Sequence, residues 1–218
     1  MTVLFQPSSN RLPALLATLV VLAGLGAVFI VSFWFSPRHL DVGYQPIQPV
    51  PYSHKLHAGI MGMDCRYCHQ MVEVGPHATI PDTATCMNCH ARVRTDSTLL
   101  EPVRQSAKTG ESIPWVKVHM LPDYAYFSHA VHVRVGVGCA SCHGRIDQME
   151  IVRQAEPLSM GWCLECHRAP ERHLRPTDQV TNMKYEEEIP LEQRLAEGKR
   201  LREAKKLNPP VHCSACHR

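Results

Sequence analysis

The chain has 218 residues, of which 44% are hydrophobic and 20% are charged, and its formal net charge at pH 7 is +3. This length accommodates one or two domains. The small net charge indicates neither a nucleic-acid-binding surface nor a strongly acidic tail, so no nucleic-acid partner is expected.

An apolar segment near the N-terminus predicts a membrane anchor. The 26 residues between Arg11 and Arg38 carry no charge, and the run from Ala14 to Phe35 is almost wholly apolar. A helix that crosses a bilayer needs about 20 such residues, whereas the apolar core of a cleaved signal peptide usually has about 7–15. Because no clear small-x-small cleavage site follows, we expect residues 1–38 to form an uncleaved transmembrane helix.

The rest of the chain reads as a linker followed by a repeat. Three prolines within residues 39–52 predict an extended linker. The aromatic-Ser-His-x-x-His pattern then occurs twice, at residues 52–57 (YSHKLH) and 127–132 (FSHAVH). Such self-similarity indicates a duplicated unit, near residues 53–95 and again near 127–170, within a domain spanning 53–218. We expect residues 96–114 between the copies to be a connecting loop and residues 191–207 to form an exposed amphipathic helix.

All ten cysteines fall into five Cys-x-x-Cys pairs, and a histidine follows each pair directly. Two thiols at this spacing add across the vinyl groups of a porphyrin, and the adjacent imidazole then reaches the iron. The sequence therefore predicts five covalently bound haem c groups. The five motifs are site 1 (Cys65, Cys68, His69), site 2 (Cys86, Cys89, His90), site 3 (Cys139, Cys142, His143), site 4 (Cys163, Cys166, His167) and site 5 (Cys213, Cys216, His217).

Other uses of paired cysteines fit the pattern less well. Zinc ribbons use Cys-x-x-Cys pairs two at a time and do not require a histidine at the next position. A thioredoxin-like motif occurs once, beside a βαβ pattern that this sequence lacks. Structural disulfides would explain the cysteines but leave the five histidines unexplained.

Each haem iron has a second axial position, and nine of the 14 histidines lie outside the motifs. The repeat makes His54, His57, His129 and His132 the leading candidates. Two histidines at i, i+3 lie on one side of a helical turn, so they are expected to reach two neighbouring haems rather than opposite faces of one. For the fifth position the alternatives are His77 and His119, then His173 and His212, with methionine as the rival ligand type at Met149 or Met160.

The expected fold is mostly α-helical with extensive ordered loops. Residues 36–218 contain five motifs, about 37 residues for each, which is too little chain for an ordinary side-chain core. We therefore expect one N-terminal transmembrane helix and a domain whose core is made by the haems. Since covalent haem attachment is completed outside the cytoplasm, that domain is expected on the periplasmic side of a bacterial inner membrane.

Several segments together resemble the class III multihaem cytochromes, and in particular the pentahaem cytochrome c subunits of alternative complex III. The resemblance extends from the anchor to His217. It rests on the number of motifs, the N-terminal anchor and residues 115–119 (WVKVH), 121–124 (LPDY), 127–129 (FSH) and 160–168 (MGWCLECHR).

The resemblance implies electron transfer within a complex that oxidises quinol and reduces a periplasmic acceptor. The partners it implies are an iron–sulfur protein, multi-spanning subunits that bind quinol and a monohaem cytochrome c. The chain itself would be a non-catalytic subunit, with no catalytic residues. A stand-alone, membrane-anchored quinol dehydrogenase is the alternative. A multihaem reductase is disfavoured, because such enzymes often replace one motif histidine by lysine and all five motifs here end in histidine.

Overall fold

The structure, a computed structural model, describes residues 7–217, and its helices fall into two compact units. The chain passes from the first unit to the second between Val42 and Gly43. In the first unit a 3₁₀ turn (Pro7–Arg11) leads into helix α1 (Leu12–Trp34), which the short helix α2 (Pro37–Leu40) follows. The side chains of α1 are almost all exposed. Among the described residues, this is the one helix that is long and apolar enough to cross a membrane, judged by length and composition.

The second unit is built from short helices joined by ordered loops. Its α-helices are α3 (Cys65–Cys68), α4 (Thr83–His90), α5 (Glu101–Thr109), α6 (His129–Val135), α7 (Ala140–His143), α8 (Met160–Arg168), α9 (Tyr185–Glu188) and α10 (Leu191–Ala204). A π-helical turn (Lys55–Ile60) and 3₁₀ turns at Thr98–Leu100, Ile146–Gln148, Pro170–Arg172, Thr177–Gln179 and Cys213–Ala215 complete it.

Within residues 7–217 there is no β-strand, and the β-type pairing consists of one isolated antiparallel bridge between Val137 and Leu174. The prediction of a mostly helical fold with one N-terminal apolar helix is therefore confirmed.

The prediction that residues 96–114 form a connecting loop was wrong, because they contain helix α5. This helix buries Val103 and Ser106 and packs on α4, where the hydroxyl groups of Thr83 and Ser106 lie 2.6 Å apart. Gly110 ends the helix in the left-handed conformation (φ +79°) that glycine adopts at little cost. With nine residues, α5 is shorter than the window of about 11–18 residues in which an apolar period is recognised.

The segment expected as a linker is hydrogen-bonded to the second unit from Gly43 onward. Gly43 donates its amide to the carbonyl of Gln154, and Gln154 donates in turn to Tyr44. Val50 is buried. Residues 43–52 are thus part of the packed second unit, and their prolines lie in an ordered segment of the chain.

Helix α10 begins at Leu191, as predicted, and one of its faces is buried. Gly198 and Leu201 lie in that face, where the backbone of Glu171 approaches Gly198 so closely that a Cβ atom would clash. Arg202 forms an ion pair with Glu171 across the same contact. The helix therefore packs on the 3₁₀ turn that follows site 4.

Candidate haem-binding sites

The five motifs lie on short helices or turns that bring each cysteine pair to one side. Helices α3, α4 and α8 begin at the side-chain caps Asp64, Asp82 and Ser159, which accept backbone N–H groups. These caps satisfy amides that a short helix leaves unpaired at its start. Sites 1, 2 and 4 are thus positioned by capped helices, site 3 by α7 and site 5 by the 3₁₀ turn Cys213–Ala215.

In the first copy of the repeat, each histidine of the His-x-x-His turn lies opposite a different motif histidine. The rings of His54 and His69 are parallel within 1°, with centroids 6.5 Å apart. The rings of His57 and His90 have centroids 6.2 Å apart and planes inclined by 64°. The turn of the first copy therefore faces the motif histidines of sites 1 and 2.

The second copy repeats this arrangement. His129 lies opposite His143, with centroids 6.4 Å apart and planes inclined by 13°. His132 lies opposite His167, with centroids 6.2 Å apart and an inclination of 35°. Sites 3 and 4 are thus related to their turn as sites 1 and 2 are to theirs.

These separations suit an iron atom between the two rings of each pair. With a metal–nitrogen bond of ~2 Å and roughly 1.1 Å from that nitrogen to the ring centre, two axial imidazoles have centroids about 6.3 Å apart. All four pairs match this distance. The residues present therefore fit haem with two axial histidines at sites 1 to 4.

Hydrogen bonds leave the other ring nitrogen available for a metal. The Nδ1 atoms of seven histidines lie 2.6–3.0 Å from backbone carbonyl oxygens. A carbonyl only accepts, so Nδ1 carries the proton and Nε2 keeps its lone pair. These histidines are His57, His69, His90, His129, His132, His167 and His217, and the carbonyls belong to Ser53, Thr79, Val93, Pro76, Ser128, Pro210 and Tyr124 in that order.

His54 and His143 depart from that pattern. The Nδ1 atom of His54 is buried and has no hydrogen-bond partner within residues 7–217. The Nδ1 atom of His143 lies 3.3 Å from Nε2 of His119. Burial lowers the pKa of His54 to about 4 and that of His143 to about 3, with neighbouring histidines adding to both shifts. Both rings are therefore neutral at pH 7, which is the form that binds a metal.

An apolar cavity connects sites 1 and 3. It is partly open to solvent, and its walls include ligand candidates and cysteines of both sites. The thiols of Cys65 and Cys139 are neighbours beside it, and their interaction raises the pKa of the Cys65 thiol and lowers that of the Cys139 thiol. A cavity of this kind, with imidazoles and thiols at its walls, suits apolar porphyrin rings.

Contacts link site 2 to site 1 and site 3 to site 4. Asn88 in site 2 donates to the Tyr67 hydroxyl in site 1 at 3.1 Å. Burial raises the pKa of the Cys142 thiol in site 3, and the thiols of site 4 raise it further. The two shared His-x-x-His turns connect the same pairs of sites.

Site 5 adjoins site 4. His167 donates its Nδ1 proton to the carbonyl of Pro210, which lies three residues before Cys213. Burial raises the pKa of the Cys163 thiol, with a smaller contribution from Cys216. Together with the contact between Cys65 and Cys139, these links give the spatial order 2–1–3–4–5.

The residues considered for the fifth distal position lie in different places. His77 is exposed and follows Pro76, whose carbonyl binds His129, and His119 lies against His143. His212 lies 3.1 Å from the Ser214 hydroxyl. Met149 is buried and Met160 is exposed. At site 5 itself, the Tyr124 ring lies 5.7 Å from that of His217.

Comparison with known proteins gives a similarity to a multihaem cytochrome. No known family profile matches the chain. It is 36% identical over 121 residues to the multihaem cytochrome c subunit of a menaquinone reductase from Nitratidesulfovibrio vulgaris, strain Hildenborough. The alignment covers 55% of this chain and 56% of the relative, so the chain spans about half the length of the curated protein it matches. This similarity supports a multihaem cytochrome c family.

Proposed function

We propose that this chain is an electron-transfer cytochrome with five covalently bound haem c groups. When bound, haem supplies an iron that gains and loses one electron. The chain's own residues attach the five groups through ten cysteines and offer an imidazole at each motif. The observation that carries the proposal is the set of four histidine pairs at 6.2–6.5 Å, the separation that an iron with two axial imidazoles requires.

The arrangement favours electron transfer over catalysis at sites 1 to 4. A catalytic haem needs an open position for its substrate, whereas a haem held at any of these sites would be offered an imidazole by the motif and a second one by the His-x-x-His turn. The order 2–1–3–4–5 gives a continuous series of neighbouring sites whose ends are sites 2 and 5. We therefore propose a subunit that conducts electrons between partners, with no substrate site of its own.

We further propose that the chain works in a quinone-linked complex of the bacterial inner membrane. Helix α1 has the length and composition of an anchor, and the similar protein named above is a subunit of a menaquinone reductase. The resemblance to alternative complex III favours quinol oxidation, with the haem-binding unit on the periplasmic side. Its proposed partners are an iron–sulfur protein, multi-spanning subunits that bind quinol, a monohaem cytochrome c and a periplasmic electron acceptor.

The test is a haem count and a quinol assay on the protein purified gently from membranes. A pyridine haemochrome count of five haem c in this chain is expected, together with co-purifying membrane subunits and reduction of the haems by a menaquinol analogue. Fewer than five haems would contradict the attachment sites. Five haems on a chain that purifies alone and still accepts electrons from quinol would favour the stand-alone quinol dehydrogenase.

A further inference from the structure

His119 lies beside a proposed iron ligand but outside the four histidine pairs. Its ring centroid is 4.4 Å from that of His143, and the two planes are inclined by 79°. This separation is too short for an iron between the rings, which requires about 6.3 Å. His143 already lies opposite His129 at 6.4 Å. The His119 ring therefore adjoins the Nδ1 side of His143.

The direction of the hydrogen bond follows from the metal chemistry. Nε2 of His143 keeps its lone pair for iron, so its Nδ1 carries the proton and donates it. The acceptor is Nε2 of His119, 3.3 Å away. The four other motif histidines direct Nδ1 to backbone carbonyls instead. Site 3 is thus the one motif in which a replaceable side chain is the partner of the proximal ligand.

The segment that carries His119 is fixed by side-chain contacts. The amide group of Gln48 donates to the carbonyl of Val116 at 2.8 Å and accepts from the amide of Val116 at 2.9 Å. Val118, next to His119, is buried. These contacts hold residues 116–119 against the rest of the second unit. They therefore fix the position of the His119 ring.

We propose that His119 is a positioning residue that sets the orientation and basicity of the iron ligand His143 and thereby lowers the reduction potential of site 3. This inference rests on the proposed function. An acceptor at the distant nitrogen of an imidazole increases the electron density of the ligand, which stabilises ferric over ferrous iron. Loss of that acceptor should therefore raise the potential.

The test is a redox titration of the intact complex, prepared with the native chain, with His119→Ala or with His119→Gln. Optical and electron paramagnetic resonance spectra monitor each titration. In His119→Ala we expect five low-spin haems and one midpoint potential that rises. A tenfold change in the preference of the site for ferric iron corresponds to about 59 mV for one electron. His119→Gln should recover part of the shift, because its amide oxygen can accept the same proton.

Two further variants separate the effect of the His119 imidazole from other effects on the potential. Gln48→Ala releases the segment without changing the imidazole and should shift the same potential in the same direction by less. His39→Ala, at an exposed histidine of the first unit, should leave the potential of site 3 unchanged. A high-spin haem in His119→Ala would make His119 an iron ligand and overturn the proposal, as would five unshifted potentials. Failure of the proposed function is separate, because it appears as a haem count below five in the native chain.

Discussion

The ring of Tyr52 stacks on the imidazole of His57, with centroids 4.4 Å apart and planes inclined by 23°. Phe127 lies in the same way against His132, at 4.5 Å and 31°. Each aromatic ring also meets the other histidine of its turn edge-on at 4.8 Å. The two copies of the repeat therefore position their histidines with the same aromatic contact.

This contact predicts the effect of replacing Tyr52. Tyr52→Ala removes the ring that packs against both His54 and His57, so sites 1 and 2 should lose part of their low-spin signal. Tyr52→Phe recreates the residue of the second copy and should keep the native spectrum. Electron paramagnetic resonance of the oxidised protein distinguishes low-spin from high-spin iron. An unchanged spectrum in Tyr52→Ala would show that the ring does not orient the ligands.

Thr79 has a strained backbone that directs its carbonyl to His69. Its φ is +62°, a region that β-branched residues rarely adopt, and the carbonyl oxygen lies 2.6 Å from Nδ1 of His69. Such strain costs on the order of 1–3 kcal/mol. Thr79→Gly keeps the carbonyl and relieves the strain, so the free energy of unfolding should rise by about 1 kcal/mol with the haem spectrum unchanged.

The control for this change is Thr95→Gly. The carbonyl of Thr95 also accepts a hydrogen bond, from Arg104, but Thr95 is not among the residues with positive φ. Glycine at an ordinary φ adds chain entropy to the unfolded state, so stability should fall by about 0.5–1 kcal/mol. Urea unfolding of the haem-loaded proteins measures the change in the free energy of unfolding for both variants. Equal losses in the two variants would refute the strain argument.

The stability of the protein should depend on pH through Asp64, which caps the helix of site 1. Hydrogen bonds from Arg66 lower its pKa from an ordinary value of 3.8 to about 2. The folded pKa lies below the unfolded one, so the stabilisation is present above about pH 4 and is lost as the pH falls toward 2. Asp64→Ala also removes the cap of α3 and should cost about 1 kcal/mol at pH 7.

The matched variant is Asp64→Asn, which retains a capping side chain but has no charge. It should lie between native protein and Asp64→Ala at pH 7, and its difference from the native protein should shrink as the pH falls from 4 to 2. Unfolding midpoints in urea at pH 7, 4 and 2.5 provide the comparison. A difference that stays constant over this range would exclude a role for the carboxylate charge.

The small core predicts that the second unit needs its haems to fold. Eleven hydrophobic residues are buried among those described, and the largest side chains that are less than 2% exposed are those of Arg175, Leu174 and Val180. A variant with all ten cysteines replaced by alanine cannot attach haem covalently, so it should lack a cooperative thermal transition. Circular dichroism on heating tests this. A sharp transition in that variant would mean that the protein core suffices.

The sequence repeat carries enough information to predict the four paired histidines, because the same pattern occurs twice before a motif. It does not reveal that His57 lies opposite His90, since that depends on how the loop between sites 1 and 2 folds back. The carbonyls of Thr79 and Pro210 were also beyond prediction, because every residue has a carbonyl. The place of His119 depends on Gln48, which is 71 residues away in the chain.

The π-helical turn Lys55–Ile60 reflects a difference in residue spacing between the two copies of the repeat. His54 precedes Cys65 by 11 positions, whereas His129 precedes Cys139 by 10. The first copy thus has one more residue, and its turn is π-helical where the second copy has the α-helix His129–Val135. A π-turn is the wider form that accommodates an extra residue within a helix. A one-residue difference in spacing between the copies is thus absorbed within a helical turn, while the histidine pairs of both copies keep ring separations of 6.2–6.5 Å.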